Sequence, residues 1–168
     1  SNLELAAYAC CCSRVSVTLS IALDFDGTIV DSMPMLTILA QDLICKHYMI
    51  DSNQALEYYR ATIGSPFLIQ LSEIFPSNLK NLCVAEEFYV RKVELLKTSV
   101  PFIDAIKALQ YWYKHKYKVF LCSSTERALI SDILSNLKLI DLFTGFFGNE
   151  YGDDKAQQLL SSKATWFI

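Results

Sequence analysis

The stretch Ile21-Ala22-Leu23-Asp24-Phe25-Asp26-Gly27-Thr28-Ile29-Val30-Asp31-Ser32 is an apolar run that ends abruptly in two carboxylates, a glycine and a threonine. A short run of this kind, rich in β-branched side chains and closed by Gly and Asp, reads as a buried strand running into a loop. Open α/β sheets bind their ligands outside the carboxyl ends of the strands. The stretch therefore sets an expected architecture, and it places Asp24 and Asp26 where a site would form.

The rest of the chain is consistent with that start. A first strand is expected over 17–25, and Pro34 suits the opening of a helix. From Pro34 to Thr98 the apolar residues recur at spacings of three and four, as in Leu36, Leu39, Leu43 and later Leu82, Ala85, Phe88, Val93, Leu96, which is helical periodicity. Helices are expected over 34–48, 53–63, 66–75 and 79–98, with breaks at Asp51-Ser52-Asn53, Gly64-Ser65-Pro66 and Pro76-Ser77-Asn78. Beyond Pro101 helix and strand alternate. One helix presents Phe102, Ile106, Leu109 and Tyr113 on a face, and the strand Val119-Phe120-Leu121-Cys122 follows, stopped by Ser123-Ser124-Thr125. A helix over about 126–138, N-capped by Thr125 or Ser124, comes next. A strand at 144–147, a helix from Lys155 to Ser162 and a last strand at 164–168 complete the series. The order predicts an α/β fold: a Rossmann-like three-layer α/β/α core with a parallel sheet over 17–32 and 101–168, an α-helical insert at 33–100, and a tail of unassigned role at 1–16.

Bulk properties narrow the class. A chain of 168 residues fits one core domain with a modest insertion. It is 52% hydrophobic, yet no uninterrupted apolar segment reaches the roughly 18 residues of a membrane span, so no membrane partner is expected. A net charge of −3 without clustered Lys and Arg argues against a nucleic-acid surface. The six cysteines, Cys10, Cys11, Cys12, Cys45, Cys83 and Cys122, form no C-x-x-C pair, and only His47 and His115 stand as imidazole partners. They read as ordinary thiols of a reducing compartment, which points to the cytoplasm. The amino end has no basic region before its apolar residues, so no secretory signal is expected. Nothing in the pattern fixes an oligomeric state.

Two carboxylates one residue apart can be metal ligands, a nucleophile with an acid/base partner, or a polar turn. A calcium loop is excluded: it needs Gly at its sixth position and Glu at its twelfth, and counting from Asp24 those positions hold Ile29 and Met35. A charge at the end of a buried strand is costly unless used or paired, which weighs against the simple turn.

The segment Asp24 to Ser32 resembles the first motif of the haloacid dehalogenase superfamily of phosphatases, D-x-D-G-T-hydrophobic-hydrophobic-D-S. The resemblance implies that Asp24 is the nucleophile, Asp26 the general acid/base, and that Mg²⁺ is held with help from both. It implies phosphate binding by Ser123 and the neighbouring Ser124, at the end of the second core strand, with Thr28 of the first loop as a further candidate. Lys155, at the start of a later helix, matches the basic third motif and is expected to steady the nucleophile and the phosphate charge. The insert resembles the cap of the phosphoglycolate phosphatase and β-phosphoglucomutase branch. Arg60 is the cap residue nominated for an anionic substrate. The implied partner is a small phosphorylated metabolite.

The fourth motif of that superfamily, an acidic pair after a further strand, has no counterpart after Lys155, where no Asp or Glu remains. The resemblance thus covers about residues 18–168 and three motifs of four. Three readings follow: a fragment of a longer phosphatase, a truncated non-catalytic binding protein, or a chain in which Glu150, Asp153 or Asp154 supplies the missing ligand. A sugar phosphomutase shares the same core motifs and is the alternative within the scaffold.

Overall fold

A computed structural model describes residues 20–149. The expected tail, the helix at 155–162, the strand at 164–168, Lys155 and the acids at 150, 153 and 154 lie outside the described residues. The elements are β1 (Ser20–Leu23), α1 (Met33–Tyr48), α2 (Ser52–Ala61), α3 (Phe67–Ile74), α4 (Asn81–Lys97), α5 (Ile103–Lys114), β2 (Lys118–Cys122), α6 (Arg127–Asn136) and β3 (Gly145–Phe147), with a 3₁₀ turn at Ile140–Leu142. All four helices of the insert form where the apolar spacing puts them. The 3₁₀ turn carries too few residues to show a period and was not expected.

Among the described residues the sheet has three strands in the order β1-β2-β3, all parallel. Ser20 pairs with Lys118 and Leu23 with Leu121, while Phe120 pairs with Gly145 and Cys122 with Phe147. Parallel strands need crossovers, and α5 and α6 supply them. The result is a Rossmann-like α/β/α core with an inserted helical region.

Two apolar clusters hold the chain together. One belongs to the insert and gathers Leu36, Leu39, Leu43, Tyr59, Phe67, Leu71, Val84 and Phe88. The other belongs to the sheet and gathers Phe25, Ile29, Val30, Leu109, Val119, Leu121, Ile130 and Leu134, together with Leu96. Helix α4 contributes to both, through Val84 and Phe88 in its first half and Leu96 near its end. The stripes read from sequence are corrected at single positions. Leu82 is exposed and its neighbours Asn81 and Val84 are buried. On α5 Leu109 is buried, but Tyr113 is exposed and Trp112 packs on the sheet cluster instead.

The insert leaves and rejoins the core at one place. Asp31 N–H donates to the carbonyl of Val100 at 2.9 Å, Phe102 N–H donates to that of Ile29 at 3.0 Å, and Val30 bridges Pro101. The turn before this neck is tight: the N–H groups of Thr28, Ile29 and Val30 all point at the Phe25 carbonyl, and Gly27 takes a φ of 74° that other residues adopt at a cost. Among the described cysteines Cys45 and Cys83 are free thiols. No helix of the described residues is long and apolar enough to cross a membrane.

The end of β3 is pressed onto the loop that follows β2. Asn149 N–H donates to the Thr125 carbonyl at 3.0 Å, and Gly148 is buried against the backbone of Arg127 with no room for a side chain. A Cβ there would also lie 2.7 Å from the Thr125 carbonyl. Gly148→Ala is expected to lower stability by about 1–3 kcal/mol through overpacking against backbone that cannot yield, and urea denaturation measures it.

Candidate active site

Strand β1 ends at Leu23, so Asp24 and Asp26 emerge at its carboxyl edge, next to the carboxyl end of β2. Phe25 between them points into the sheet cluster and is fully buried. That alternation is the strand period carried one step past the sheet. Asp24 Oδ1 accepts the N–H of Phe25 at 2.7 Å.

Asp26 is held from three parts of the chain. Its Oδ1 accepts from Ser32 Oγ at 2.7 Å, and its Oδ2 accepts from Thr125 Oγ1 at 2.8 Å and from Lys92 Nζ at 2.9 Å. The ion pair with Lys92 is nearly dry, with side-chain exposures of 10% and 12%. Burial by itself raises the Asp26 pKa. The charge and hydrogen bond of Lys92, with the hydroxyls of Ser32 and Thr125, outweigh burial and hold the carboxyl below its ordinary value. Asp26 is therefore held as a carboxylate at rest.

Two hydroxyls at helix starts are diverted here. Ser32 stands at the N-cap of α1 and makes no capping bond. The expected cap of α6 by Ser124 or Thr125 is also not formed: Glu126 occupies that position without a side-chain bond, because the Thr125 hydroxyl is already given to Asp26. Ser123 is buried, its N–H donating to the Phe147 carbonyl at 3.0 Å and its Oγ accepting from Thr125 N–H at 3.0 Å.

These groups face a cavity of about 70 Å³ whose wall includes Asp24, Asp26, Tyr59, Gln70, Lys92 and Ser124. The structure thus brings Asp24, Asp26 and Ser124 together, with Ser123 directly behind. It does not bring Thr28 or Arg60 to them. Thr28 is exposed and lines a separate groove with Leu23 and Trp112, and Arg60 lies exposed in the last turn of α2, away from the cavity wall. Lys155 lies outside the described residues.

Lys92 and Tyr59 were not foreseen in these roles. The signal for Lys92 was a lysine standing on the buried stripe of α4 with Ala85, Phe88 and Leu96. Tyr59 packs on Phe67, with ring centroids 6.2 Å apart. Burial first, and then the negative charge of Asp26, push its phenol up to about 12.

Among the described residues no group of three or more His, Cys, Asp or Glu gathers as a metal centre. The donor set is the two carboxylates at the end of β1, all oxygen, which suits a hard cation such as Mg²⁺ that completes its shell with water and substrate. Asp24 fits this directly. The Asp26 carboxylate has both oxygens engaged, and Lys92 already supplies a positive charge to it.

The sequence model of the haloacid dehalogenase-like hydrolases matches residues 21–155. No curated protein matches the chain. Among solved structures the fold is similar to a hydrolase of the haloacid dehalogenase-like family from Streptococcus pneumoniae, with TM-score 0.65 and 20% identity, covering 86% of this chain and 69% of that one. It is also similar to a haloacid dehalogenase-like protein from Bacteroides fragilis, with TM-score 0.67 and 20% identity over 88% of this chain and 74% of that one. A third, titled a predicted phosphatase, from Clostridium acetobutylicum, gives TM-score 0.66 and 17% identity over 86% and 70%.

Two outcomes are expected from this geometry. Lys92→Met strands a buried carboxylate and should cost about 3–5 kcal/mol; adding Asp26→Asn should recover most of the loss, as a double-mutant cycle by urea denaturation would show. Tyr59 has a folded pKa of about 12 against an ordinary 10.0, so above pH 10.0 the unfolded chain ionises first and stability falls as pH rises toward about 12. Tyr59→Phe should flatten that alkaline loss in a pH series of thermal melts, leaving a smaller slope from Tyr48 and Tyr89, which burial also raises.

Proposed function

The chain belongs to the haloacid dehalogenase-like hydrolases, and from that membership we propose that it is a Mg²⁺-dependent phosphatase acting on a small phosphomonoester through an aspartyl-phosphate. The observation that carries the reading is the shared cavity that joins Asp24 and Asp26 to Ser124.

Asp26, ionised at rest, takes up a proton from solvent before the first step; Asp24 then attacks phosphorus as the ester bond breaks, and the leaving oxygen takes that proton from Asp26. Water next attacks the aspartyl-phosphate as Asp26 takes its proton, which frees phosphate, restores the Asp24 carboxylate and leaves Asp26 protonated for the following turnover. The hydroxyl groups of Ser123 and Ser124 and the N–H of Ser124 hold the phosphate oxygens, and Lys155 adds a positive charge. Asp24, with Asp26 beside it, would hold a Mg²⁺ ion, and the chemistry such an ion would supply is to offset the repulsion between the nucleophile and the anionic phosphate. Thr28 and Arg60, outside the cavity, take no part.

The insert at 33–100 acts as a cap of the kind found in the phosphoglycolate phosphatase and β-phosphoglucomutase branch. The neck at Asp31 and Val100 supports that role, since both connections of the insert run side by side. Lys92, carried by the last insert helix, is the group that brings the insert onto Asp26.

Hydrolysis of 4-nitrophenyl phosphate should require Mg²⁺, and Asp24→Asn should lower kcat on the order of a thousandfold or more. Metal-dependent turnover that survives Asp24→Asn removes Asp24 as nucleophile. Transfer of phosphate to a second sugar hydroxyl instead of water would identify a mutase.

A further inference from the structure

Resting on the phosphatase reading, we infer that the leaving group of the substrate is an uncharged, largely apolar body seated in a second cleft beside the acid cavity. The cleft lies between α3, α4 and the amino end of α6. Its apolar wall is made by Pro66, Leu68, Ile69, Val93 and Leu129, and its volume is about 290 Å³. That is roughly twice the ~150 Å³ that holds a benzene ring in an apolar protein cavity.

The two spaces adjoin: Pro66, Tyr89, Lys92 and Ser124 line both. In the inferred pose a phosphate at Asp24 has its ester oxygen directed past Lys92 and Ser124, so that what the oxygen carries lies in the apolar cleft.

Charge selects against an anionic leaving group. Among the described residues the cation on the walls of these spaces is Lys92, and it is committed to Asp26 at 2.9 Å. Glu126 stands at the cleft and repels a carboxylate. A sugar fits the apolar wall poorly, because hydroxyl groups laid against Leu68, Val93 and Leu129 would lose water without gaining partners on that side. Ile69 is 47% exposed at the rim, apolar surface that an apolar ligand would cover.

One polar feature refines the class. Asn149 lines this cleft, and its Oδ1 is buried with no hydrogen-bond partner. A buried acceptor left in that state is unfavourable, and a single N–H or O–H on the apolar body would satisfy it. The inferred substrate is thus a phosphomonoester of an aromatic or similarly apolar alcohol bearing one donor.

The test uses the full chain and two esters of matched leaving-group basicity, 2-phenylethyl phosphate and ethyl phosphate, alongside 2-phosphoglycolate. The phenylethyl ester is expected to have a kcat/KM at least about tenfold above both others. Calorimetric binding of 2-phenylethylphosphonate and ethylphosphonate, which are not hydrolysed, should show the same preference. Ile69→Gln, on the exposed rim, and Val93→Thr, which keeps shape, should each shrink both preferences toward one. Turnover of all three esters without preference, or equal binding of the two phosphonates, overturns the apolar cleft and leaves the phosphatase standing. Absence of turnover with the phosphonate preference intact supports the cleft as the seat of an apolar phosphate ligand and removes the hydrolase reading instead.

Discussion

The Asp26 carboxylate is the point at which the molecule is tied together. It sits where the β1 loop, the start of α1, the last helix of the insert and the loop after β2 converge, and each of the last three sends one side chain to it: Ser32, Lys92 and Thr125. A buried carboxylate without partners is strongly unfavourable. The four segments are thereby bound to one arrangement, because any of them moving alone would leave charge or hydroxyl unsatisfied. The pair with Lys92 also lies at the seam of the two apolar clusters, between Phe88 of one and Leu96 of the other on the same helix. Apolar burial supplies most of the driving force on either side of this seam. What the charged pair adds is registration of one side against the other.

That arrangement explains why local rules fail at this place. Ser32 stands at the N-cap of α1 and Thr125 just ahead of the N-cap of α6, where hydroxyls ordinarily accept from the first N–H groups of a helix. They donate to a carboxylate instead, since a charged acceptor makes the stronger bond. Asp51, far from any such acceptor, caps α2 in the ordinary way at 3.0 and 3.1 Å.

The same contrast marks what could be read from the chain. The end of β1 and the helices of the insert follow from near-neighbour patterns: an apolar run stopped by acids, and apolar residues at three and four. Asp24 and Asp26 were legible for that reason. The place of Lys92 was not, because its partner is 66 residues away and its meaning depends on how the insert folds back. Its stripe on α4 was visible, but a lysine on such a stripe is ordinarily read as an interruption. Arg60 shows the converse: a cation near a turn in the insert suggests an anion site, and helix geometry turns it outward. Spacing alone puts Leu82 and Tyr113 on buried faces, and the packing of their helices buries the adjacent Asn81 and packs Trp112 instead.

The neck also bears on how this chain reaches its fold. Pairing β1 with β2 joins Ser20 to Lys118, a long loop whose closure entropy grows with the logarithm of its length. The bond from Asp31 to the Val100 carbonyl short-circuits it. Once the four insert helices have collapsed on their own apolar cluster with their ends together, the strands are separated in effective chain length only by the turn before the neck and by α5. With the insert folded first, the encounter between the strands would thus be nearly local instead of distant.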